Sequence, residues 1–394
     1  MNWTRAESKF ATRQESKVNW MSVTQPRIDA LTGLRFLAAL FVYLHHHPKP
    51  DYFPSWLITF FTAGYNGVTF FFVLSGCVIA LNYFEGLSRP TPSGLVRYAV
   101  ARFARIYPLY LLVLLYVWLK QDAPLTSDFG YHVLALQAWS PDFRFAYAFN
   151  GPGWSIGIEF FLYACFPLIV ILLARLKGHA KGLWFLAFGV LAYLIGIALF
   201  FQLTGRASLP ITDPESAHRW LYRTPITRLG DFLLGVIAAL LYRNRNAVHS
   251  RFEFRWVLGT YSAIALMVIM MILPDNLNSV FSWDALYAPV AFLLILGLTM
   301  APRTIVARFL SSRPLVVLGE ASFALYLIHI PLIDVFDIYS YTDYAPWIAI
   351  LLWIAFAGIC ILLAIGLNRY VETPLRRLIN NGSERLFTRR SAVR

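Results

Sequence analysis

The chain has 394 residues, of which 58% are hydrophobic and 14% are charged. Soluble globular proteins carry about 25% charged residues, so this composition excludes an ordinary soluble domain with one core. The formal net charge of +13 would suit nucleic-acid binding. However, the basic residues follow the loops between apolar stretches, so we expect no nucleic-acid partner.

Ten apolar stretches are long enough to cross or nearly cross a bilayer. They cover residues 28–47, 56–83, 98–119, 154–175, 183–203, 223–243, 256–273, 283–301, 315–337 and 345–369. A shorter apolar stretch at 131–139 predicts an interfacial or re-entrant segment. The sequence therefore predicts an all-α polytopic membrane protein of about ten transmembrane helices.

The distribution of lysine and arginine predicts the topology. If the N-terminus is cytoplasmic, 26 of the 34 Lys and Arg residues lie in cytoplasmic segments and seven lie in outer segments. The positive-inside rule then places both termini in the cytoplasm. We expect a cytoplasmic tail at 1–27, a membrane domain at 28–372 and a basic cytoplasmic tail at 373–394.

The first span contains two ionisable residues, Arg35 and His46. Their separation of 11 residues places them about 20° off a common helix face and roughly 16 Å apart along the axis. Ionisable groups at this depth are costly unless they have a partner, a cavity or a function. His46 suits a general base, because an unperturbed imidazole titrates near pH 6.5. The alternative is an interfacial histidine without a function.

The run of three histidines that includes His46 does not predict a metal site. Successive helical residues point about 100° apart and cannot converge on one ion. The three cysteines, Cys77, Cys165 and Cys360, all lie in apolar spans and are expected to act as small hydrophobic residues. We therefore predict no metal.

The second span is rich in small residues, at Gly64, Gly67, Ser75 and Gly76. Small residues allow helices to approach closely, so tight packing is the favoured interpretation. A polar side chain facing a cavity, from Asn66 or Ser75, is a weaker alternative.

The third span begins with Arg102 and Arg105, which lie on one side of a helix at the spacing i, i+3. Guanidinium groups match phosphate oxygens, so the pair could bind a nucleotide-like ligand. The alternative is the ordinary basic anchor of a cytoplasmic helix end.

The fourth span follows the helix-breaking sequence Gly-Pro-Gly at 151–153 and begins near Trp154. Ser155, Glu159 and Tyr163 share one face at i, i+4 and i+8, and a glutamate in a span should face the bundle interior. Glu159 could form a structural ion pair, for example with Arg228. It could instead orient a catalytic histidine or bind a sugar hydroxyl.

Two later spans carry further candidates. Arg228 begins near the outer end of the sixth span, and Tyr326 and His329 share a face in the ninth. A single histidine in an apolar helix is more often a hydrogen-bonded core residue, so His329 is the second choice for a base. Together these placements predict an outer acid–base cluster and an inner cationic cluster.

In these residues the sequence resembles the acyltransferase type 3 family, the polytopic membrane O-acyltransferases that modify bacterial envelope sugars. Thr69 departs from the family pattern, since many members carry an acidic residue there. The chain is similar to stand-alone members that lack an extracytoplasmic SGNH-type domain. The matching positions are Arg35-x10-His46; Gly67-Val68-x-x-Phe71-Phe72-x-x-Ser75-Gly76; Arg102-x-x-Arg105 with Pro108; Trp154-Ser155-x3-Glu159 with Tyr163; Arg228 ahead of Phe232 and Gly235; Tyr326-Leu327-Ile328-His329 before Pro331; and Glu372-x-Pro374.

The resemblance implies transfer of an acyl group, usually acetyl, from cytoplasmic acyl-CoA to a saccharide or glycolipid hydroxyl at the bacterial inner membrane. Acyl-CoA is then a donor substrate, and no permanently bound cofactor is expected. The donor would be held by Arg35, Arg102 and Arg105.

In the same picture His46 would deprotonate the acceptor and Glu159 would orient His46 or the acceptor. The substrate-binding residues would be Trp154, Tyr163, Arg228, Tyr326 and His329. The sequence leaves open which acyl group and acceptor are used, whether an acyl-histidine forms, and the oligomeric state. The competing hypothesis is a transporter or export partner that performs no bond chemistry.

Overall fold

The computed structural model describes residues 28–247, 253–273, 279–336 and 344–392. Within these ranges the regular elements are all helical, which confirms the predicted all-α class. The tail predicted at 1–27 lies outside the described residues, whereas the predicted tail at 373–394 is helical as far as residue 392.

The α-helices are numbered in chain order. The long ones are α1 (Asp29–His46), α3 (Gly67–Leu87), α4 (Pro92–Lys120), α7 (Gly153–Leu173), α8 (Ala180–Leu203), α9 (Pro225–Arg243), α10 (Glu253–Ile272), α11 (Tyr287–Met300), α13 (Arg313–Phe336), α14 (Pro346–Leu367) and α15 (Thr373–Ala392). The short ones are α2 (Ser55–Thr62), α5 (Ser127–Val133), α6 (Phe143–Ala146) and α12 (Ile305–Leu310).

Among the described residues, eight helical segments are long and apolar enough to cross a membrane. The helix α11 is shorter, and α1 carries Asp29, Arg35 and two histidines, which lower its hydropathy. Each of the ten predicted spans nevertheless coincides with a helix. The chain is a multi-pass membrane protein, while the count of ten crossings and the cytoplasmic position of both termini stay predictions.

Local sequence explains where these helices begin. Pro152 precedes the first residue of α7, Gly153, so the helix starts where the Gly-Pro-Gly sequence predicts. In α4, Pro92 occupies the first turn and the Thr91 hydroxyl accepts a hydrogen bond from the Gly94 amide at 3.1 Å. The predicted interfacial stretch at 131–139 contains the end of α5 and a 3₁₀ turn at Gln137–Trp139.

Small residues bring α3 and α9 into close contact, as predicted. A Cβ atom added to Gly76 would lie 2.0 Å from the carbonyl oxygen of Phe232, and one added to Gly235 would lie 1.9 Å from that of Val73. The helix α1 packs against both α3 and α13. In contrast, α8, α10 and α14 expose many large apolar side chains, which suits contact with lipid.

The bundle has two chemically different ends. The basic end carries Arg97, Arg243, Arg313 and Arg377, and the histidine end carries His46. After a π-helical turn at Asn368–Glu372, α15 continues along α4 at the basic end. This arrangement places the interior face of α15 beside the arginines of α4.

Candidate active site

A cavity of about 340 Å³ lies inside the bundle between α1, α3, α4, α7, α13 and α15. We call it the central cavity. Its polar lining residues are Arg35, Ser75, Asn82, Tyr83, Arg102, Arg105, Ser155, Glu159, Tyr163, Ser322, Tyr326 and Arg376. A second cavity of about 500 Å³, the basic vestibule, adjoins it at the basic end and shares Arg35, Val78, Asn82, Arg105 and Arg376 with it.

The predicted inner cationic cluster lines these two compartments. Arg102 donates a hydrogen bond to the Tyr83 hydroxyl at 2.8 Å, and its guanidinium lies 4.7 Å from the centre of the Tyr83 ring. Arg105 forms an ion pair with Glu372, which is buried. Arg35 lines both compartments. These arginines therefore face an interior space. A basic residue that only anchors a helix end at the membrane surface would not need to face such a space.

Glu159 lines the central cavity. One carboxylate oxygen accepts hydrogen bonds from the Ser75 hydroxyl at 3.1 Å and from the Tyr163 hydroxyl. Ser155, Glu159 and Tyr163 all line the cavity, so the structure brings the predicted helix face together. Ser75 lines the cavity as well. On sequence alone, a cavity-facing Ser75 is the weaker alternative to tight helix packing.

His46 and His329 form a hydrogen-bonded pair, with His46 Nδ1 at 3.2 Å from His329 Nε2. His329 Nδ1 lies 3.2 Å from the Leu325 carbonyl, which can only accept, so in the neutral pair this nitrogen carries the proton. His329 Nε2 then accepts from His46 Nδ1–H, which also points at the Val42 carbonyl at 2.9 Å. His46 Nε2 is left with an unprotonated lone pair, as a general base needs.

The other two histidines of the run face different neighbours. His45 Nδ1 donates to the Thr62 carbonyl at 2.6 Å, and His47 stacks on Trp353 with ring centres 5.0 Å apart. Lys49 Nζ donates to the His45 carbonyl at 2.7 Å, and burial lowers the pKa of Lys49 to about 8. The divergence of the three rings follows from the helical spacing.

Tyr326 joins the central cavity to the histidine pair. Its hydroxyl lies 2.7 Å from Ser155 Oγ, and both residues line the cavity. The centre of its ring lies 5.9 Å from that of His329. The cavity therefore extends from the arginines of the basic end to within one side chain of the histidine pair.

A contact that sequence reasoning missed fixes α13 beside His329. Pro331 has no N–H, so the Leu327 carbonyl lacks its normal helical donor. The Asn150 side-chain amide fills that place, donating to the Leu327 carbonyl at 2.9 Å. Pro331, inside the predicted span, was the sequence signal for this contact, because a proline in a helix leaves the carbonyl four residues earlier without its backbone donor.

Arg228 lies outside the lining of both compartments. It is fully buried and donates to Asp231 at 2.8 Å, to Asp284 at 2.6 Å and to the Thr69 hydroxyl at 3.0 Å. Its remaining donors reach the carbonyls of Tyr222 and Trp283. We call Arg228, Asp231, Asp284 and Thr69 the buried charge cluster.

The structure does not pair Glu159 with Arg228, which was one structural alternative, nor does it place Glu159 against His46. Glu159 bonds Ser75 and Tyr163, whereas His46 bonds Val42 and His329. Trp154 is buried against Tyr222, with ring centres 5.0 Å apart, and is absent from the cavity lining. These placements leave the predicted functions of Trp154 and Arg228 without a contact to the cavity.

The fold and the cavity define a multi-pass helical membrane protein with an internal polar site that has arginines at one end and a histidine pair near the other. The chain belongs to the acyltransferase type 3 family: the family model, an acyltransferase domain, matches residues 28–369. It is an acyltransferase, and this membership favours the enzyme over the transporter alternative.

Curated relatives agree with the family. The acyltransferase MdmB of Streptomyces mycarofaciens is 30% identical over 318 residues, covering 77% of this chain and 78% of MdmB. The O-acetyltransferase OatA of Staphylococcus aureus is 25% identical over 372 residues, covering 89% of this chain and 57% of OatA. The chain thus spans little more than half the length of OatA. No solved structure matches this chain.

Proposed function

We propose that this membrane O-acyltransferase moves an acyl group, most simply acetyl, from cytoplasmic acyl-CoA to a hydroxyl of a saccharide or glycolipid at the bacterial inner membrane. The observation that carries the proposal is the interior path from the arginines of the basic end to Tyr326, whose ring lies against His329. His46 and His329 do not themselves line either compartment, so the acceptor has to reach His46 past Tyr326. Relatives described as acyltransferase and O-acetyltransferase support the reaction class.

The donor lies with its phosphates toward Arg35, Arg102 and Arg105 and its thioester toward Tyr326. Guanidinium forks bind phosphate oxygens in two parallel hydrogen bonds, and they keep their charge at any working pH. The acyl-pantetheine arm then occupies the central cavity, past Glu159. Glu159 is hydrogen-bonded to Ser75 and Tyr163 rather than to His46. It therefore orients the substrate and not the histidine.

The transfer is a direct attack. His46 Nε2 takes the proton of the acceptor hydroxyl while the hydroxyl oxygen forms a bond to the thioester carbonyl carbon. The carbon–sulfur bond then breaks, and His46 passes the acceptor's proton to the departing thiolate. The hydroxyls of Ser155 and Tyr326 lie on this side of the cavity, 2.7 Å apart, and both are within hydrogen-bond distance of the Pro152 carbonyl. One of the two hydroxyls turns from these partners to donate to the carbonyl oxygen as it gains charge.

His329 acts through His46 and is a positioning residue. Together with the Val42 carbonyl it accepts the Nδ1 proton of His46, which holds the tautomer that leaves Nε2 free. It also shares the positive charge that His46 gains when the acceptor proton arrives.

The experiment is thiol release from acetyl-CoA by purified protein in nanodiscs, with octyl glucoside and methyl glucoside as acceptor probes and mass spectrometry of the acetylated sugar. His46→Ala should lower transfer by about 10²–10⁴-fold, the usual range for removal of a general base. His45→Ala is the matched control, since the ring is adjacent but bonds Thr62. Transfer by His46→Ala at the wild-type rate would contradict the proposal.

A further inference from the structure

The helix α15 contributes residues to the cavities that the membrane spans enclose. Arg376 lines both the central cavity and the basic vestibule, and Thr373 and Arg377 line the vestibule. In the sequence this segment resembles a basic tail, and no role was predicted for it. The structure makes it one wall of the interior site.

Two ion pairs hold α15 in this position. Arg105 pairs with Glu372 where α15 begins, and Arg97 pairs with Glu384 at 3.2 Å three turns later. Asn368 donates to Glu372 at 3.2 Å and fixes that carboxylate from the preceding turn. Because Glu372 and Arg376 are four residues apart, they share one helix face, so the same contact that docks the helix directs Arg376 inward.

The two compartments carry an excess of positive charge. Their lining includes five arginines, Arg35, Arg102, Arg105, Arg376 and Arg377, against the carboxylates of Glu159 and Glu320. Glu372 adds a third carboxylate through its pair with Arg105. Five cations against three anions leave an excess of two positive charges; Arg377 and Glu320 are exposed, whereas Glu372 is buried.

We propose that the basic vestibule binds the phosphate groups of the donor and that Arg376 and Arg377 of α15 supply part of its charge. The inference rests on the proposed function, because it assigns a ligand to the outer part of the same site. The vestibule volume of about 500 Å³ lies within the usual range of small-molecule sites. The uncharged pantetheine arm would pass into the central cavity, while the phosphates stay in the vestibule and at its junction with the cavity, where Arg35 and Arg105 line both compartments and Arg102 lines the cavity side.

The test compares three donors that share the acyl-pantetheine arm: acetyl-CoA, acetyl-dephospho-CoA and S-acetylpantetheine, which carry three, two and no phosphates. In Arg376→Gln/Arg377→Gln, the KM for acetyl-CoA should rise about tenfold or more, since hydrogen bonds to charged groups contribute at least that factor. The KM for S-acetylpantetheine should not change, and kcat should stay near wild type for both. Arg303→Gln, an exposed arginine between α11 and α12, is the matched control.

A second measurement uses the wild-type protein alone, so it does not depend on whether the double variant folds. Raising ionic strength should raise the KM for acetyl-CoA more than that for S-acetylpantetheine. Nanodiscs with and without phosphatidylglycerol separate the donor from a lipid headgroup as the source of phosphate. If the double variant changed only the effect of phosphatidylglycerol, the vestibule would be a lipid site and the proposal would be overturned.

The failures of the two proposals are distinguishable. Equal KM changes with all three donors, or none, would overturn the vestibule assignment while acyl transfer itself still stood. If the folded wild-type protein neither bound nor consumed any of the three donors, the proposed function would fail instead.

Discussion

Two groups of arginines lie within this bundle, and their surroundings differ. Arg228 in the buried charge cluster has carboxylate, hydroxyl and carbonyl partners and lines neither the central cavity nor the basic vestibule. Arg102 and Arg105 also have protein partners, yet they line the central cavity. For Arg228, protein partners offset the cost of burying the charge. For Arg102 and Arg105, the cavity leaves room for a ligand beside the protein partners.

The comparison shows why an arginine inside a membrane span is weak evidence for ligand binding by itself. Sequence alone treats Arg228 and Arg105 alike, since both lie within or beside an apolar span. The distinction depends on acidic residues elsewhere in the chain. Asp284 reaches Arg228 from the segment before α11, and Glu372 reaches Arg105 from the turn before α15.

The largest effect should come from Arg228→Ala. Removing the guanidinium leaves Asp231 and Asp284 facing each other in a fully buried site, which typically costs about 3–5 kcal/mol. We expect a large loss of folded protein, measured by thermal unfolding in detergent. Arg105→Gln is the comparison, because its partner Glu372 keeps a hydrogen bond from Asn368. Equal stability of Arg228→Ala and wild type would remove the distinction between the two groups.

His329→Ala tests the histidine pair, with an expected loss of about 10–100-fold in kcat and little change in the donor KM. The physical reason is that His46 loses one of the two acceptors of its Nδ1 proton, the one that can share its positive charge, while the Val42 carbonyl remains. His329→Gln retains an acceptor atom and should recover part of the rate. A change confined to KM would indicate that His329 binds substrate instead.

The smallest effect should come from Asn150→Ala, which leaves the Leu327 carbonyl unpaired and should cost about 1–3 kcal/mol in stability. Pro331→Ala restores the missing N–H, so Asn150→Ala should cost much less in that background. The thermal stabilities of the four proteins in this double-mutant cycle measure the coupling. Additive effects would show that Asn150 does not act through the Leu327 carbonyl.

Sequence periodicity predicted most of the fold and one half of the site. The spacing of Ser155, Glu159 and Tyr163 placed one helix face on the cavity, because an acidic residue in a span must face the interior. The spacing of Arg35 and His46 likewise placed both residues near one face of α1, one toward each end of the helix. Each of these inferences uses residues on one helix, where geometry is fixed by the chain itself.

Contacts between distant segments were beyond that reasoning. Nothing in the local sequence pairs Asn150 with Leu327, or Asp284 with Arg228, since each pair joins elements whose docking depends on tertiary packing. Arg376 was missed for a related reason: a charged helix after the last apolar span resembles a solvated tail. Its position in the cavity depends on the ion pairs that hold α15 against α4.

The most direct test of the account measures acetyl-CoA binding and turnover separately in His46→Ala and Arg105→Gln. If the basic end holds the donor and the histidine end does the chemistry, His46→Ala should bind acetyl-CoA with wild-type affinity and release almost no thiol. Arg105→Gln should bind it about tenfold or more weakly, since a charged hydrogen bond is lost. Wild-type turnover in His46→Ala, or undiminished donor affinity in Arg105→Gln, would contradict the account.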